Sequence, residues 1–333
     1  MRAFGVARAI AAAAIATVMA CSIWAALDDP YKSDSSIRPP VDAGAFSPRV
    51  IDAGFSAYAI AAYGDNTYAL EAHGQVYAAH DASTRFSTFW TPDGGSWPQS
   101  QKNGIAASAG GVFWTLGGEV RYCALDGGGC GSLMSSDSGA IAASDSVVAW
   151  IDTLGVRVCS VPVAGCNPTM LGASKSAVRL AAGPNGTVAW TAGGATIHLA
   201  NGQASVTVIE PHSVAVLATD AVTQDLYWQG PDALGLLDFD GGSNTAPMVV
   251  FSGVAAQLFA LGGVAYWSVA NPSEVQACPF DSTGMACVPR DLPTPKVAGA
   301  VTFDGIVVNS RNVLALLHTD RFSELIAWKV PPL

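Results

Sequence analysis

From about residue 46 onward the chain is a succession of short apolar runs broken by Gly, Asn, Asp and Pro. YAIAAYGDNTYAL (58–70), AIAASDSVVAW (140–150) and AVLATDAVTQDLYW (215–228) each hold two such runs around one turn. Runs of this length are too short for helices and carry turn chemistry on both sides, so they predict β-strands. The pairs recur. Aligned on one aromatic residue, VFWTLGGEVRYCALDGGGC (112–130), VAWIDTLGVRVCSVPVAGC (148–166) and VAYWSVANPSEVQACPFDSTGMAC (264–287) are copies of one unit, with cysteines at matching places.

The unit returns without cysteines as NTYALEAHGQVYAAH (66–80), GTVAWTAGGATIHL (186–199) and DLYWQGPDALGLLDFDGG (225–242), and more faintly as GIVVNSRNVLALLH (305–318). With Tyr68, Trp114, Trp150, Trp190, Trp228, Trp267 and Val308 as markers, the steps are 46, 36, 40, 38, 39 and 41 residues. A period near 40 with four apolar runs per repeat is that of a propeller blade, and a closed ring of blades leaves only short, protected sheet edges. The expectation is an all-β chain: a β-propeller of four-stranded antiparallel blades, seven in number, with six as the alternative. For the seventh blade VAGAVTF, GIVVNS, NVLALLH and SELIAWKV supply four apolar runs in order. The marker aromatics are expected in the packing between blades.

The unit around Trp228 resembles the YWTD-type propeller repeat: Asp220 closes an apolar strand, Tyr227 and Trp228 follow, and Asp240 with Gly241 makes the turn. Tyr266 with Trp267 is the only other full Tyr-Trp pair, and no unit carries all four letters. This resemblance implies a propeller, and YWTD propellers usually close with six blades.

Arg2 and Arg8 precede the apolar stretch AIAAAAIATVMA, the layout of a bacterial secretory signal. Val18-Met19-Ala20-Cys21 resembles a lipobox, which implies cleavage before Cys21 and lipidation of that cysteine, and the chain resembles the propeller lipoproteins of bacterial envelopes. An uncleaved anchor over 9–27 and soluble export are the alternatives. Residues 22–49, with DDPYKSDSSIRPPVDAG, are too rich in Asp, Ser and Pro to build a core and read as a tether. The expected organisation is a signal peptide (1–20), a lipid-anchored tether (21–49) and the propeller (50–333). Ser22 beside the lipobox cysteine is compatible with the outer membrane, facing periplasm or cell surface.

Seven cysteines leave six once Cys21 is set aside, and these are expected to pair locally: Cys123 with Cys130, Cys159 with Cys166, and Cys278 with Cys287. Each bridge would join the third and fourth strands of one blade beside their turn. Zinc sites want two to four residues between paired cysteines, and these pairs have six, six and eight on three separate blades. Bridges of this kind place the domain in an oxidising compartment.

The net charge of -10 supplies no basic stripe, which argues against a nucleic-acid partner. No phosphate loop, zinc motif or nucleophile elbow is visible, so no catalytic residue, metal or cofactor is assigned. Asp65, Asp145, Asn185, Asp220 and Asp304 recur before the second strand and are expected to tighten turns by bonding their own backbone. DFDGGSN (238–244) reads as a turn rather than a calcium loop, for want of the closing glutamate. Candidate binding residues are Glu71 and His73, which share one turn, and Trp90 and Trp97 in the long passage between the first two blades. A propeller pairing histidine with glutamate is similar, by fold alone, to virginiamycin-inactivating lyases, and a propeller lyase or hydrolase is the alternative function. The leading expectation is a monomeric, exported, membrane-tethered module binding a protein, peptide or carbohydrate.

Overall fold

The computed structural model describes residues 48–329, with breaks of which the longest are 93–103, 239–248 and 280–288. Cys21 and the rest of 1–47 lie outside the described residues, as do Trp97 and Cys287. Twenty-eight strands form seven four-stranded antiparallel sheets, each a blade of a β-propeller. Blades one to six open on Ala57–Tyr63, Ile105–Ser108, Ile141–Ala143, Ala177–Ala182, Val216–Thr219 and Ala255–Leu261. These strands neighbour one another in succession, and Val301–Val308 of blade seven lies against both Ala255–Leu261 and Ala57–Tyr63, which closes the ring. The innermost strands of blades one to five read AYAIAAY, IAAS, IAA, AVRLAA and VLAT, and those of blades six and seven AAQLFAL and VTFDGIVV. Alanine suits this position, because the ring is narrowest there and larger side chains would collide across it.

The apolar core is divided among seven clusters, each shared by two adjacent blades. Trp114, Trp150, Trp190, Trp228 and Trp267, one on the second strand of each blade from two to six, all turn toward the preceding blade. They are at most 7% exposed. Each pairs in register with a branched aliphatic on the first strand: Ile105, Ile141, Leu180, Leu217 and Leu258. Gly235 stands opposite Trp228 on the third strand, and a Cβ there would drive into the indole.

Blades one and seven depart from the sequence expectation, for one physical reason. The partner of Ile60 is Ala69, not the marker Tyr68, and Tyr68 therefore faces the following blade, as Phe113 and Tyr227 do. A slip of one residue reverses the face. In blade seven the marker Val308 sits on the first strand, and the position equivalent to the tryptophans is Ala315, partner of Ile306. Two of the seven interfaces thus have alanine where the others have indole. Other aromatics fill the space: Phe55 stacks on Tyr77 at 4.0 Å and meets Phe86 edge-on at 5.4 Å between blades seven and one. Trp328, fully buried on the third strand of blade seven, fills the interface with blade six and donates its indole N–H to the Pro293 carbonyl at 2.7 Å.

The strands of blade seven also differ from the four runs expected. VTF and GIVV are one strand, Val301–Val308, with a register shift between Phe303 and Gly305. The fourth strand comes from the other end of the chain: Arg49–Ile51 pairs antiparallel with Ser323–Lys329, Arg49 opposite Ala327 and Ile51 opposite Leu325. Arg49, expected in the tether, is therefore part of the sheet.

Cys123–Cys130 and Cys159–Cys166 are disulfides, with Cα atoms 4.1 and 6.0 Å apart, each joining the end of a third strand to the loop before the fourth. Cys278 is disulfide-bonded too, and its expected partner Cys287 lies outside the described residues.

Two outcomes follow from this packing. Gly235→Ala should lower unfolding free energy by about 1–3 kcal/mol through overpacking, read as a shift of the urea midpoint at unchanged slope. Replacing Cys159 and Cys166 together by serine should cost about 2–3 kcal/mol, the chain-entropy value for so short a loop, and reduction of the wild type, which opens the other bridges as well, should cost more.

Candidate ligand-binding face

Because strands alternate in direction, one rim of the ring carries the turns between first and second strands and between third and fourth. The opposite rim carries the turns between second and third strands and the passages to the next blade. The first rim is occupied by the fold itself. Ala109 N–H donates to Asp145 Oδ1 at 2.9 Å, and Gly186 N–H donates to Ser146 Oγ at 2.8 Å. Thr219 Oγ1 donates to the Ala182 carbonyl at 2.7 Å, and Asn309 Nδ2 donates to Thr67 Oγ1 at 3.2 Å. Each bond links two adjacent blades. Asp220, fully buried, accepts from Val222 and Thr223 within its own turn and from Gly263 N–H, 2.7 Å away in blade six.

The recurrent Asp and Asn residues thus divide. Asp220 holds its own turn as expected and also reaches the next blade. Asp145 bonds the preceding blade, and Asp65 forms an ion pair of 3.6 Å with Arg311 of blade seven. Asn185 takes the left-handed conformation at φ 55°. Asp304 is a correction, since it lies within Val301–Val308, and Asn309 is the residue that holds that turn, through Arg311 and Asn312 N–H.

The opposite rim holds the candidate residues. Glu71 ends the second strand of blade one and His73 stands exposed in the turn that follows, closed by Gly74 N–H to the Glu71 carbonyl at 2.9 Å. Gly74 has φ +92°, and a Cβ there would stand 2.8 Å from Leu116, so the turn rests on blade two. Burial, and then the Glu71 charge, pushes the Tyr77 phenol up. Trp90 ends the fourth strand of blade one. It is half-buried, its ring 5.1 Å from that of Trp114, and the Arg121 guanidinium lies 5.2 Å from its centroid. Glu119 Oε2 accepts from Arg121 at 2.8 Å and fixes the cation on the indole. Glu71, His73 and Trp90 therefore share the rim between blades one and two, and the passage that contains Trp97 departs from Trp90.

Sequence reasoning passed over three features of this rim. Asp152 and Arg157 frame the turn of blade three: Asp152 Oδ1 accepts from Leu154 and Gly155 N–H at 2.7 and 2.9 Å, and Oδ2 from Arg157 Nε at 2.8 Å. Leu154 at the tip is 54% exposed, an apolar side chain presented on a fixed turn. Arg179 is exposed on the first strand of blade four, beside a cavity of about 160 Å³ that reaches Ala140 and Gln257. Gln229, at the end of the second strand of blade five, is fully buried, and neither amide atom has a hydrogen-bond partner. An unmade bond of this kind costs about 1–3 kcal/mol. The Trp114 indole N–H is likewise without an acceptor.

Burial pushes the Asp152 carboxyl up, but the Arg157 side chain and the two amides outweigh it, so its pKa lies below the ordinary value of 3.8. A depressed carboxylate contributes its full stability above its unfolded pKa and loses it as pH falls through the native value. Asp152→Asn should therefore cost about 1.5–3 kcal/mol near neutrality, with the gap from wild type closing below about pH 4. Chemical denaturation of both proteins across pH 7 to 3 checks the sign. Among the described residues, no three His, Cys, Asp or Glu side chains come together as a metal site would need.

No protein-family model matches the sequence. No curated protein matches it either. Solved structures match at the level of the fold. YCF48 from Cyanidioschyzon merolae superposes with a TM-score of 0.61 at 10% identity, over 85% of this chain and 98% of that one. YCF48 bound to D1 peptide gives 0.58 at 9% identity, over 86% and 95%. The WD40 domain of Neurospora crassa Pan2 gives 0.58 at 11% identity, over 84% and 91%.

Proposed function

We propose that this chain is a protein- or peptide-binding propeller of a bacterial envelope, exported and held at a membrane through a lipid on Cys21. The observation that carries the binding reading is the Trp90–Arg121 stack at the rim between blades one and two. Tryptophan and arginine, half-buried and already ordered, are the side chains that dominate protein interfaces, because little freedom remains to be lost on contact. The exposed Leu154 lies on the same rim two blades from blade one, within reach of one extended partner. A solved propeller of the same fold, YCF48, carries a peptide, which supports the assignment. Local disulfides favour an oxidising compartment, in keeping with the secretory layout of the N-terminus. The Asp-Ser-Pro-rich segment would hold the ring away from the bilayer, and the degenerate YWTD-like repeats are part of the same reading.

Photo-cross-linkers at Leu154, on the proposed rim, and at Val222, on the opposite one, separate binding from background in native membranes. A discrete adduct from Leu154 that is lost with Trp90→Ala or Arg121→Ala, and none from Val222, is the expected result. Equal labelling from both rims would remove the binding reading. Intact mass of the membrane-purified protein should equal residues 21–333 plus lipid, with six alkylation labels gained only after reduction. An intact N-terminus would remove the lipid tether.

A further inference from the structure

Asp and Glu outnumber Lys and Arg in this chain by 26 to 16, yet four cations gather at one corner of the ring. Arg290 opens the fourth strand of blade six, Arg49 opens the fourth strand of blade seven, Lys329 closes the third strand of blade seven, and Arg311 stands in that blade's first turn. All four therefore lie on the rim that carries the first-to-second and third-to-fourth turns, and each is exposed. Lys329 pairs in register with Asn312, the neighbour of Arg311, and Arg49 pairs with Ala327, two residues before Lys329. Val50, next to Arg49, is 44% exposed. Asp65 and Asp291 are the carboxylates at this corner among the described residues: Asp65 pairs with Arg311 at 3.6 Å, and Asp291 accepts from Gln276 Nε2 at 2.8 Å. Among the described residues, Arg49, Arg290 and Lys329 pair with no carboxylate. On blade five the same rim carries Asp225 and Asp238, opposite each other in register, so the cationic surface stops short of that blade.

We propose that this corner rests on an anionic lipid surface, the one to which the chain is tethered, so that the opposite rim faces away from it. The inference rests on the membrane attachment proposed above. Residue 48, the first described, leads into Arg49 at this corner, and the sequence before it holds Cys21 and the uncharged stretch 9–27. A contact made at the end of a tether is intramolecular, so weak attractions suffice to populate it. Basic side chains are drawn to anionic headgroups within about a Debye length, and each strengthens the association by about fivefold. A planar surface meets all four cations at once, and Val50 gives the contact an apolar side chain as well. The rest of the ring, in a chain of net charge -10, is repelled by the same surface, so the attraction orients the ring instead of holding it by any face. The Trp90–Arg121 stack and the exposed Leu154 then point to the aqueous side, where a partner can reach them.

Membrane-purified protein incubated with vesicles tests it, using phosphatidylcholine alone or equal parts of phosphatidylcholine and phosphatidylglycerol. Phenylglyoxal, a neutral reagent for arginine, reads the shielding of each guanidinium by peptide mass. Arg49, Arg290 and Arg311 should react about fivefold more slowly on the anionic vesicles, with Arg121 and Arg157 of the opposite rim unchanged, and high salt should remove the difference. Arg49→Gln, Arg290→Gln and Lys329→Gln combined should restore the Arg311 rate at an unchanged thermal midpoint. Equal rates on both vesicles, slowing at Arg121 and Arg157 instead, or slowing of Arg311 in the triple variant as in wild type would overturn the proposal. Soluble poly-glutamate that slows the three arginines where phosphatidylglycerol does not would assign the corner to an acidic polypeptide and overturn it too. Flotation with pure phosphatidylcholine vesicles reads the anchor separately. Protein that floats on both vesicles without slowing keeps the tether and loses this corner, whereas protein that floats only on the anionic vesicles, with slowing, keeps the corner and loses the tether.

Discussion

Ring closure is the constraint on which the structure depends. Each blade is a sheet with two apolar faces, and no blade has a core of its own: its buried residues belong half to the cluster before it and half to the cluster after it. An open row of seven blades would expose the outer faces of the first and the last. Those faces carry Ala69, Ile60, Leu314 and Leu316, which meet one another across the closing interface. The hydrophobic term for that interface is obtained only when both chain ends have arrived.

The two rims divide the work of the ring. On one, the short side chains of Asp, Ser, Thr and Asn bond backbone groups of the adjacent blade, so turns that would otherwise be solvated loops become the seam between blades. Toward the opposite rim a hydroxyl on a second strand also joins blades: Thr115 accepts from Gly104 N–H and donates to the Gly139 carbonyl at the start of blade three. Gln229 stands at the corresponding place after Trp228 in blade five and makes no such bond. The other rim also carries Glu71, His73, the Trp90–Arg121 stack and Leu154, side chains that no bond between turns of adjacent blades uses.

The fold was legible in the sequence wherever one residue type returned in one register. Trp114, Trp150, Trp190, Trp228 and Trp267 announced five blades because each meets the same branched aliphatic partner. Blades one and seven were blurred because alanine replaces that tryptophan and the compensating bulk comes from Phe55, Tyr77, Phe86 and Trp328, at other positions in the repeat. The closing strand was hidden because three residues carry too little pattern, and their partner lies at the far end of the chain. Of the candidate site, Glu71, His73 and Trp90 were visible as chemistry and were brought to one rim. Arg179 was not, although a lone charge inside the alanine-rich strand AVRLAA was the signal that could have found it. Asp152 and Arg157 were missed because their meaning lies in a turn that only the bonded geometry reveals.

The strand that completes blade seven begins at Arg49, directly after the segment that precedes the ring. Any tension applied through that segment therefore enters the propeller at its seam rather than at an internal loop. The load falls on a three-residue edge strand, where resistance is set by the few hydrogen bonds to Ser323–Lys329 and by the burial of Ile51. Mechanically, the ring is a buckle whose tongue is also its strap, and its lifetime under pull is governed by the rate at which that one strand leaves.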